Sequence, residues 1–410
     1  MGLRRFLEIL CALLFTGSLL AETPAPSVPL LLISLDGFRW DYCEKHPEVT
    51  PILRRLKAEG ASARGLIPVF PSNTFPNHYS MVTGLWPAHH GIINNHFFDP
   101  ELGQYFHYNQ PVCHHQERWW GGEPIWITAV RQGRPSACSF WPGSEVELGG
   151  RRPTFWKLYD YSIPFQKRLD ELIFWFKQPV SRCPVVTTFY LEETNSAGHI
   201  YGPESPELIA AIKLLDSRVG EIVARTEAEH IPLNVVIVSD HGMTSLSVEQ
   251  VVTLDDYVDL SRVQVDFEGS VVGLRPLEGG IDALMQKLAK LPPQAHAFRQ
   301  ADLPPSFHIS GNPRQPPVWI LADEGWHVER RSLFNAMRSH YLKGDHGYDP
   351  SVVKSMQGIL IVHGPAFKTD GTVIEPVENI HVYNLLCAAT GLQPAPNDGD
   401  DRLVRAFIAK

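Results

Sequence analysis

LLLISLDG, residues 30–37, is an almost unbroken apolar run that stops on Asp36 and Gly37. A run this short, without apolar/polar alternation, is what a strand buried on both faces of a parallel sheet requires. Three later stretches repeat the pattern of a strand-like run ending in residues that can ligate a metal. VVTTFYLEETNSAGH (185–199) reaches His199, NVVIVSDHGM (234–243) carries Asp240 and His241, and GDHGYD (344–349) carries His346. Carboxylates and imidazoles at strand C-termini converge on the crevice where open α/β sheets bind ligands.

Working outward, Thr50, Pro51 and Gly60 bracket ILRRLKAE with N-cap, first-turn and C-terminal signals, so a helix follows the first strand. Residues 184–192, 233–238 and 358–362 read as further strands. Residues 205 to about 228 carry Leu208, Ile212, Leu215, Val219, Ile222 and Val223 at helical spacing, and 378–390 reads as a closing helix. Strands alternating with helices predict an α/β fold: a central, mostly parallel (mixed) sheet covered by helices on both faces.

Two stretches break the rhythm. Residues 94–150 are rich in Trp, Gly and Pro and read as a loop-rich cover near the pocket. Residues 246–345 combine short apolar alternations, Pro-rich turns and two helices, and read as an inserted lobe. Metal-ligand candidates lie on both sides of that lobe, so it is expected to project from one catalytic domain spanning residues 22–410. Residues 1–21 are expected to be an export signal: Arg4 and Arg5, an apolar stretch from Ile9 to Leu20, and Ala21 before a Pro-rich segment. That stretch is short of the roughly 20 residues a spanning helix needs, so the mature chain is expected to be exported, periplasmic or secreted, without a membrane span. After removal of Cys11 five cysteines remain, which allows at most two disulfides and leaves at least one thiol over. None of them stands in close CxxC spacing, which argues against a thiolate zinc site.

The 410 residues carry a formal net charge of -9 with no long run of either sign. Nucleic-acid polymer binding through counterion release is therefore not expected, whereas a small nucleotide or other phosphodiester remains open as a substrate. Three glycine-flanked histidines (His199, His241, His346) together with Asp36 and Asp240 point to a metal centre of mixed Asp/His ligation, which suits zinc. Two such ions clamp the attacking and leaving oxygens of an in-line displacement. Thr74, in PSNTFPNHYSMVTG at a turn leading into a helix, is the nucleophile candidate, since a helix N-terminus and a metal both favour its ionised oxygen. Read locally, Thr74 beside Asn73 equally serves as a helix cap.

LLLISLDGFRWDY, PSNTFPNHYSMVTGLWPAHHGIINN, WWGGEPIWITAVRQG with FWPGS, YLEETNSAGHIYGP, VVIVSDHGM and KGDHGYD resemble, in order, the nucleotide pyrophosphatase/phosphodiesterase family of the alkaline phosphatase superfamily. The resemblance runs from about Leu30 to Ala395. It implies an alkaline phosphatase-like fold with two zinc ions, one held by Asp36, Thr74, Asp240 and His241, the other by Asn195, His199 and His346. It also implies that Thr74 forms a phospho-threonine intermediate, that the Asn95 amide donates to a phosphoryl oxygen, and that Phe75 and Tyr159 sandwich a nucleobase. One position departs: the family pattern has aspartate where this chain has Asn195, a neutral carbonyl donor in place of a carboxylate. Glu193, two residues earlier, could take over if the strand stays extended there. The expected activity is release of nucleoside monophosphates from nucleotide phosphodiester or pyrophosphate bonds. Alternatives are a lysophospholipid or choline headgroup phosphodiesterase and a binding protein with an impaired metal site. A phosphomonoesterase has less behind it, because no arginine stands beside Thr74.

Overall fold

The computed structural model describes residues 28–409. The expected export signal therefore lies outside the described residues. Among the described residues no helix is long and apolar enough to cross a membrane.

The opening run forms β1 (Leu30–Leu35), and all six of its residues are buried. Its side chains divide between two cores, Leu30 and Leu32 on one face, Leu31, Ile33 and Leu35 on the other. Each fully buried leucine or isoleucine contributes about 1.5–3 kcal/mol relative to exposure, which holds the strand at the centre of the sheet. Around it lie β2 (Ala61–Ile67), β3 (Ser136–Ser139), β4 (Phe155–Lys157), β5 (Val186–Leu191), β6 (Asn234–Val238), β7 (Gly358–His363) and β8 (Thr372–Ile374). The spatial order is β8-β2-β7-β6-β1-β5-β3-β4, with the short Val377–Glu378 strand also paired to β2. Every pairing is parallel except those of β7, which runs against both β6 and β2. The sheet is mixed and mostly parallel, as the alternation of elements predicts.

Register decides where the chemistry lies. Ser34 pairs with Tyr190 on one side and with Val238 on the other, so the carboxyl ends of β1, β5 and β6 finish level. Asp36, Glu192 and Asp240 leave the sheet side by side. Helix α1 (Pro51–Glu59) follows the first strand, although Thr50 does not cap it with its side chain. The Asp216 carboxylate of the long helix Pro206–Ala228 accepts from the amides of Ile52 and Leu53 at 3.2 and 2.8 Å instead, so one helix caps another. Ser205 caps that long helix in turn, accepting from the Leu208 amide at 3.1 Å.

Two readings need correction. Residues 94–150 are more than a cover, because Ile125–Arg131 is helical and leads into β3 within the main sheet. Both elements are short, and the flanking Trp, Gly and Pro residues hide their periodicity. The closing helix starts at Val382, since Asn379–His381 winds as a single 3-10 turn. Cys43, Cys113, Cys138, Cys183 and Cys387 are all free thiols.

Residues 263–322 contain a second, four-stranded antiparallel sheet in the order Val263–Phe267, Val271–Pro276, Val318–Ala322, Ala295–Arg299. One of its faces packs Val272, Leu274, Val318 and Ile320 with Leu284 and Leu288 of the helix Gly280–Leu288. Its other face sends Phe267 and Trp319 into the main core, where Phe307 stacks on Phe70 with ring centroids 3.9 Å apart.

Candidate metal centre and substrate cleft

Asp36 follows β1, and Gly37 behind it is held at φ +69°, where a Cβ would lie 2.9 Å from the Cα of Asn195. Only glycine allows the strand exit to lie this close to the next helix. That helix spans Glu193–Tyr201. Asn195 and His199 stand four residues apart on it and therefore share a face. Gly242 works the same way behind Asp240 and His241: a Cβ there would fall 2.0 Å from the Ser355 carbonyl oxygen.

Thr74 is the first residue of the helix Thr74–Thr83, and Asn73 makes no side-chain cap. The Asn73 amide donates instead to Asn94 Oδ1 at 2.7 Å. The Thr74 hydroxyl lies 3.2 Å from His241 Nε2. The same nitrogen is 3.1 Å from Asp240 Oδ2 and 3.6 Å from Asp36 Oδ1. Ligand atoms of Asp36, Asp240 and His241 all fall within 4.8 Å of one another, as do those of His199, Asp345 and His346. The two groups abut, because the rings of His241 and His346 stack with centroids 3.5 Å apart.

The three histidines are oriented alike. His199 Nδ1 is 2.9 Å from the Gly344 carbonyl oxygen, His241 Nδ1 2.8 Å from that of Gly242, and His346 Nδ1 3.0 Å from that of Ser72. A carbonyl oxygen can only accept, so Nδ1 carries a proton in each case and Nε2 is the atom that can offer its lone pair to a cation. Backbone-anchored Nδ1 with a free Nε2 is the usual arrangement of metal-ligating histidines.

Electrostatics give the same account. Asp36 and Asp240 are both fully buried, and Asp36 Oδ1, Asp240 Oδ2 and Asn195 Oδ1 are enclosed without hydrogen-bond partners. Burial and the facing Asp240 charge push the Asp36 carboxyl up to about 7. Burial works against the Asp240 anion too, but the charges of His241 and His78 outweigh it and hold that carboxyl well below the usual range. Burial would lower His241, yet Asp240 raises it to about 9. Two buried carboxylates converging on one point need a positive charge between them. The donor set fits divalent cations of the zinc class.

The cleft in front of these groups has a volume of about 520 Å³, and its walls include Thr74, Phe75, Asn95, Tyr159, Asn195 and His346. That is ample for a small organic ligand, for which pockets run from about 300 to 1,000 Å³. Asn95 Oδ1 accepts from the Phe75 amide at 2.8 Å, so its Nδ2 remains free as a donor. The Phe75 ring is packed edge-on by Phe106, Tyr108 and His114. Tyr159, about half exposed, donates its hydroxyl to Glu192.

Of the two residues left open for this position, Asn195 and Glu193, the condition set for Glu193 is not met. Strand β5 ends at Leu191 and the chain is already helical at Glu193, so Glu193 and Asn195 point to different sides. The Glu193 carboxylate is paired with Arg218. Asn195 is the one that lines the cleft.

Several neighbours of the site carried no clear signal in the sequence. Tyr190 donates to Asp36 Oδ2 at 2.5 Å, and His78 Nδ1 lies 2.9 Å from the Thr74 carbonyl oxygen and 3.3 Å from Asp240 Oδ2. His78 is four residues beyond Thr74 on the same helix, a spacing that could have identified it; Tyr190 is hidden within an apolar strand. Glu145 lines the opposite wall and accepts from the Tyr159 amide at 3.1 Å.

A family model described as type I phosphodiesterase / nucleotide pyrophosphatase matches residues 30–349. The chain is 37% identical over 385 residues to venom phosphodiesterase CdcPDE of Crotalus durissus collilineatus, covering 90% of this chain and 45% of that protein. It is also 37% identical over 390 residues to ectonucleotide pyrophosphatase/phosphodiesterase family member 1 of Homo sapiens, covering 92% of this chain and 41% of that one. The chain thus spans less than half the length of these relatives. Among solved structures, murine ectonucleotide pyrophosphatase/phosphodiesterase 5 superposes with a TM-score of 0.86 at 32% identity, covering 93% of this chain and 100% of that chain. An inactive threonine-to-alanine form of that protein, solved in complex with AMP, superposes equally well, again with a TM-score of 0.86.

Proposed function

The chain belongs to the type I phosphodiesterase / nucleotide pyrophosphatase family, and from that premise we propose that it is an exported two-zinc hydrolase of nucleotide phosphodiester or pyrophosphate bonds. The observation that carries the reading is the Thr74 hydroxyl at a helix N-terminus, 3.2 Å from His241 Nε2 and in the wall of a cleft also lined by aromatic side chains. Residues 22–410 act as one catalytic unit with residues 246–345 as its insertion, and residues 1–21 serve as the export signal.

Asp36, Thr74, Asp240 and His241 would hold one zinc ion, and His199, His346 and Asn195 the other. When bound, the ions supply Lewis-acid neutralisation of phosphate charge and favour ionisation of the threonine hydroxyl. Thr74 Oγ1 attacks the α-phosphorus and the leaving group departs in line, giving a phospho-threonine ester of the nucleoside. Asn95, with its Oδ1 tied to the Phe75 amide, turns Nδ2 toward the phosphoryl oxygen on which charge develops. Phe75 and Tyr159 hold the base, each stack worth on the order of 1–3 kcal/mol. Water then attacks the ester, releasing the nucleoside monophosphate and restoring the Thr74 hydroxyl. His78 and Tyr190 keep Asp240 and Asp36 in place through the contacts described above.

A second reading has its own observation. Glu145 and Glu192 stand beside Tyr159 in the cleft, and acidic groups around aromatic rings suit a cationic choline headgroup. Kinetics of the purified chain on the p-nitrophenyl ester of a nucleoside 5′-monophosphate and on p-nitrophenylphosphocholine, with and without added zinc, decides between them. The nucleotide ester is expected to be hydrolysed with the higher kcat/KM and only in the presence of zinc. Preference for the phosphocholine ester would replace the nucleotide reading, and zinc-independent turnover would remove the metal-based one.

A further inference from the structure

The two halves of the proposed metal centre are unequal in charge. The half around Thr74 has two carboxylates, Asp36 and Asp240, whereas His199, His346 and Asn195 bring no negative charge to the other. A divalent ion bound only by two neutral imidazoles and an amide oxygen lacks the anionic ligand that hard or borderline cations favour. We infer that Asp345 supplies the missing carboxylate, binding the second cation together with His199 and His346 in place of the aspartate that the family pattern has at position 195. This inference rests on the two-zinc reading above.

Asp345 lies on the short strand Gly344–Asp345, next to His346. Its Oδ2 is fixed 2.8 Å from His327 Nε2, and His327 Nδ1 is in turn 3.0 Å from Glu329 Oε1. That leaves Oδ1 beside the two histidines, 4.0 Å from His346 Nε2 and 3.6 Å from His199 Nδ1, the nitrogen that the Gly344 carbonyl holds, and ligand atoms of all three residues fall within 4.8 Å of one another. Two ligand atoms on one tetrahedral zinc, each at about 2.0–2.2 Å from it, lie roughly 3.3–3.6 Å apart, so the His346 spacing has to close by about half an ångström when an ion binds. The carboxylate does not line the cleft, whereas Asn195 does. Asp345 therefore reaches the ion from behind and leaves the cleft side to substrate. A carboxylate anchored by a buried histidine and a second acid is the kind of outer support that metal-ligating carboxylates have. The competing explanation is that Asp345 serves only as the counter-ion of His327.

Zinc content per chain and zinc affinity separate the two, measured by elemental analysis and calorimetric titration on the wild-type chain and on the Asp345→Asn, Asn195→Asp and Asn195→Asp/Asp345→Asn variants. The wild type is expected to bind two ions. Asp345→Asn is expected to keep one ion and to lose at least ~100-fold in affinity at the other, at or beyond the upper end of the 10–100-fold that outer-shell changes cost. Restoring the carboxylate at position 195 in the double variant is expected to return the second ion, although His327 is still deprived of its partner. Two ions on Asp345→Asn with an affinity loss smaller than ~100-fold, as an outer-shell role gives, would overturn the inference and leave the two-zinc reading standing. Fewer than two ions on the wild type would remove both. If Asp345→Asn does not fold, the double variant decides: two ions uphold the inference, and one ion, or failure to fold, overturns it in favour of a structural role.

Discussion

Replacing Asn95 with aspartate isolates a single hydrogen-bond donor. In the wild-type chain Asn95 Oδ1 accepts from the Phe75 amide at 2.8 Å, and the Asn95 amide donates to Asn94 Oδ1 at 2.7 Å. An aspartate keeps both of these bonds and the side-chain shape, so folding is expected to be preserved. What it removes is the Nδ2 donor, whose loss at a developing oxyanion costs about 10²–10³ in kcat. It also introduces a negative charge facing a phosphoryl group, and repulsion at about 4 Å adds on the order of 1–4 kcal/mol depending on local polarity. The combined expectation is a fall in kcat/KM of roughly 10³-fold or more, with a melting temperature within about 4 °C of wild type, the shift that about 1 kcal/mol produces. Steady-state kinetics on a nucleotide phosphodiester and thermal unfolding of the same preparation read the two quantities. Turnover within tenfold of wild type would refute the placement of Nδ2 on the phosphoryl group. An equal loss for Asn95→Ala and Asn95→Asp, with both unfolding early, would show that the residue serves the loop alone.

Burial pushes the Glu145 carboxyl up to about 7 from its ordinary 4.5. The folded chain therefore favours its neutral form: the stability this brings is fully present below about pH 4.5 and lost as pH rises through about 7, because only the folded state resists ionisation. Glu145→Gln keeps an acceptor for the Tyr159 amide, so its stability gain over wild type is expected to grow from near zero at acid pH to at most about 3 kcal/mol above neutrality, read by denaturant titration; a pH-independent difference would contradict this. Glu193→Gln is expected to leave zinc content and kcat/KM within a factor of two or three, roughly, since only the Arg218 pair is lost and such pairs are worth about 1 kcal/mol or less; loss of an ion would return Glu193 to the metal centre. Phe75→Ala and Tyr159→Ala are each expected to raise KM for a nucleotide ester by roughly 5–150-fold while a small aryl phosphodiester without a base is little affected. Equal effects on both substrates would remove the base from between these rings.

Much of this architecture could be read from the chain because its central strands are buried on both faces. β1, β5, β6 and β7 stand out as apolar runs, and the residues placed at their ends, Asp36, Asp240 and His241, fall together for the same reason: parallel strands in register finish level. His346 and Thr74 arrive from loops far away in sequence, and only their glycine and turn surroundings marked them. Glu193 could stand in for Asn195 only on an extended strand; β5 ends at Leu191, and a turn of helix sends Glu193 to Arg218. The helix Ile125–Arg131 and β3 were absorbed into a loop because elements of seven and four residues offer too few periods to see. Thr50 has the right residue type for a cap, but a carboxylate from another helix does that work, which is a tertiary contact that spacing cannot reveal. Tyr190 and Asp345 carry no signature of their own, one inside an apolar strand and the other beside the stronger His346 motif, whereas the four-residue spacing from Thr74 does point to His78.

The proposed hydrolysis depends on the oxygen of Thr74 forming the bond to phosphorus. Acid quenching of the zinc-loaded chain within its first turnover of a nucleotide phosphodiester, followed by peptide mass spectrometry, reads this directly. The mass of one nucleoside monophosphoryl group is expected on the peptide containing Thr74, absent from Thr74→Ala. The same adduct on another residue, or undiminished turnover by Thr74→Ala, would contradict it.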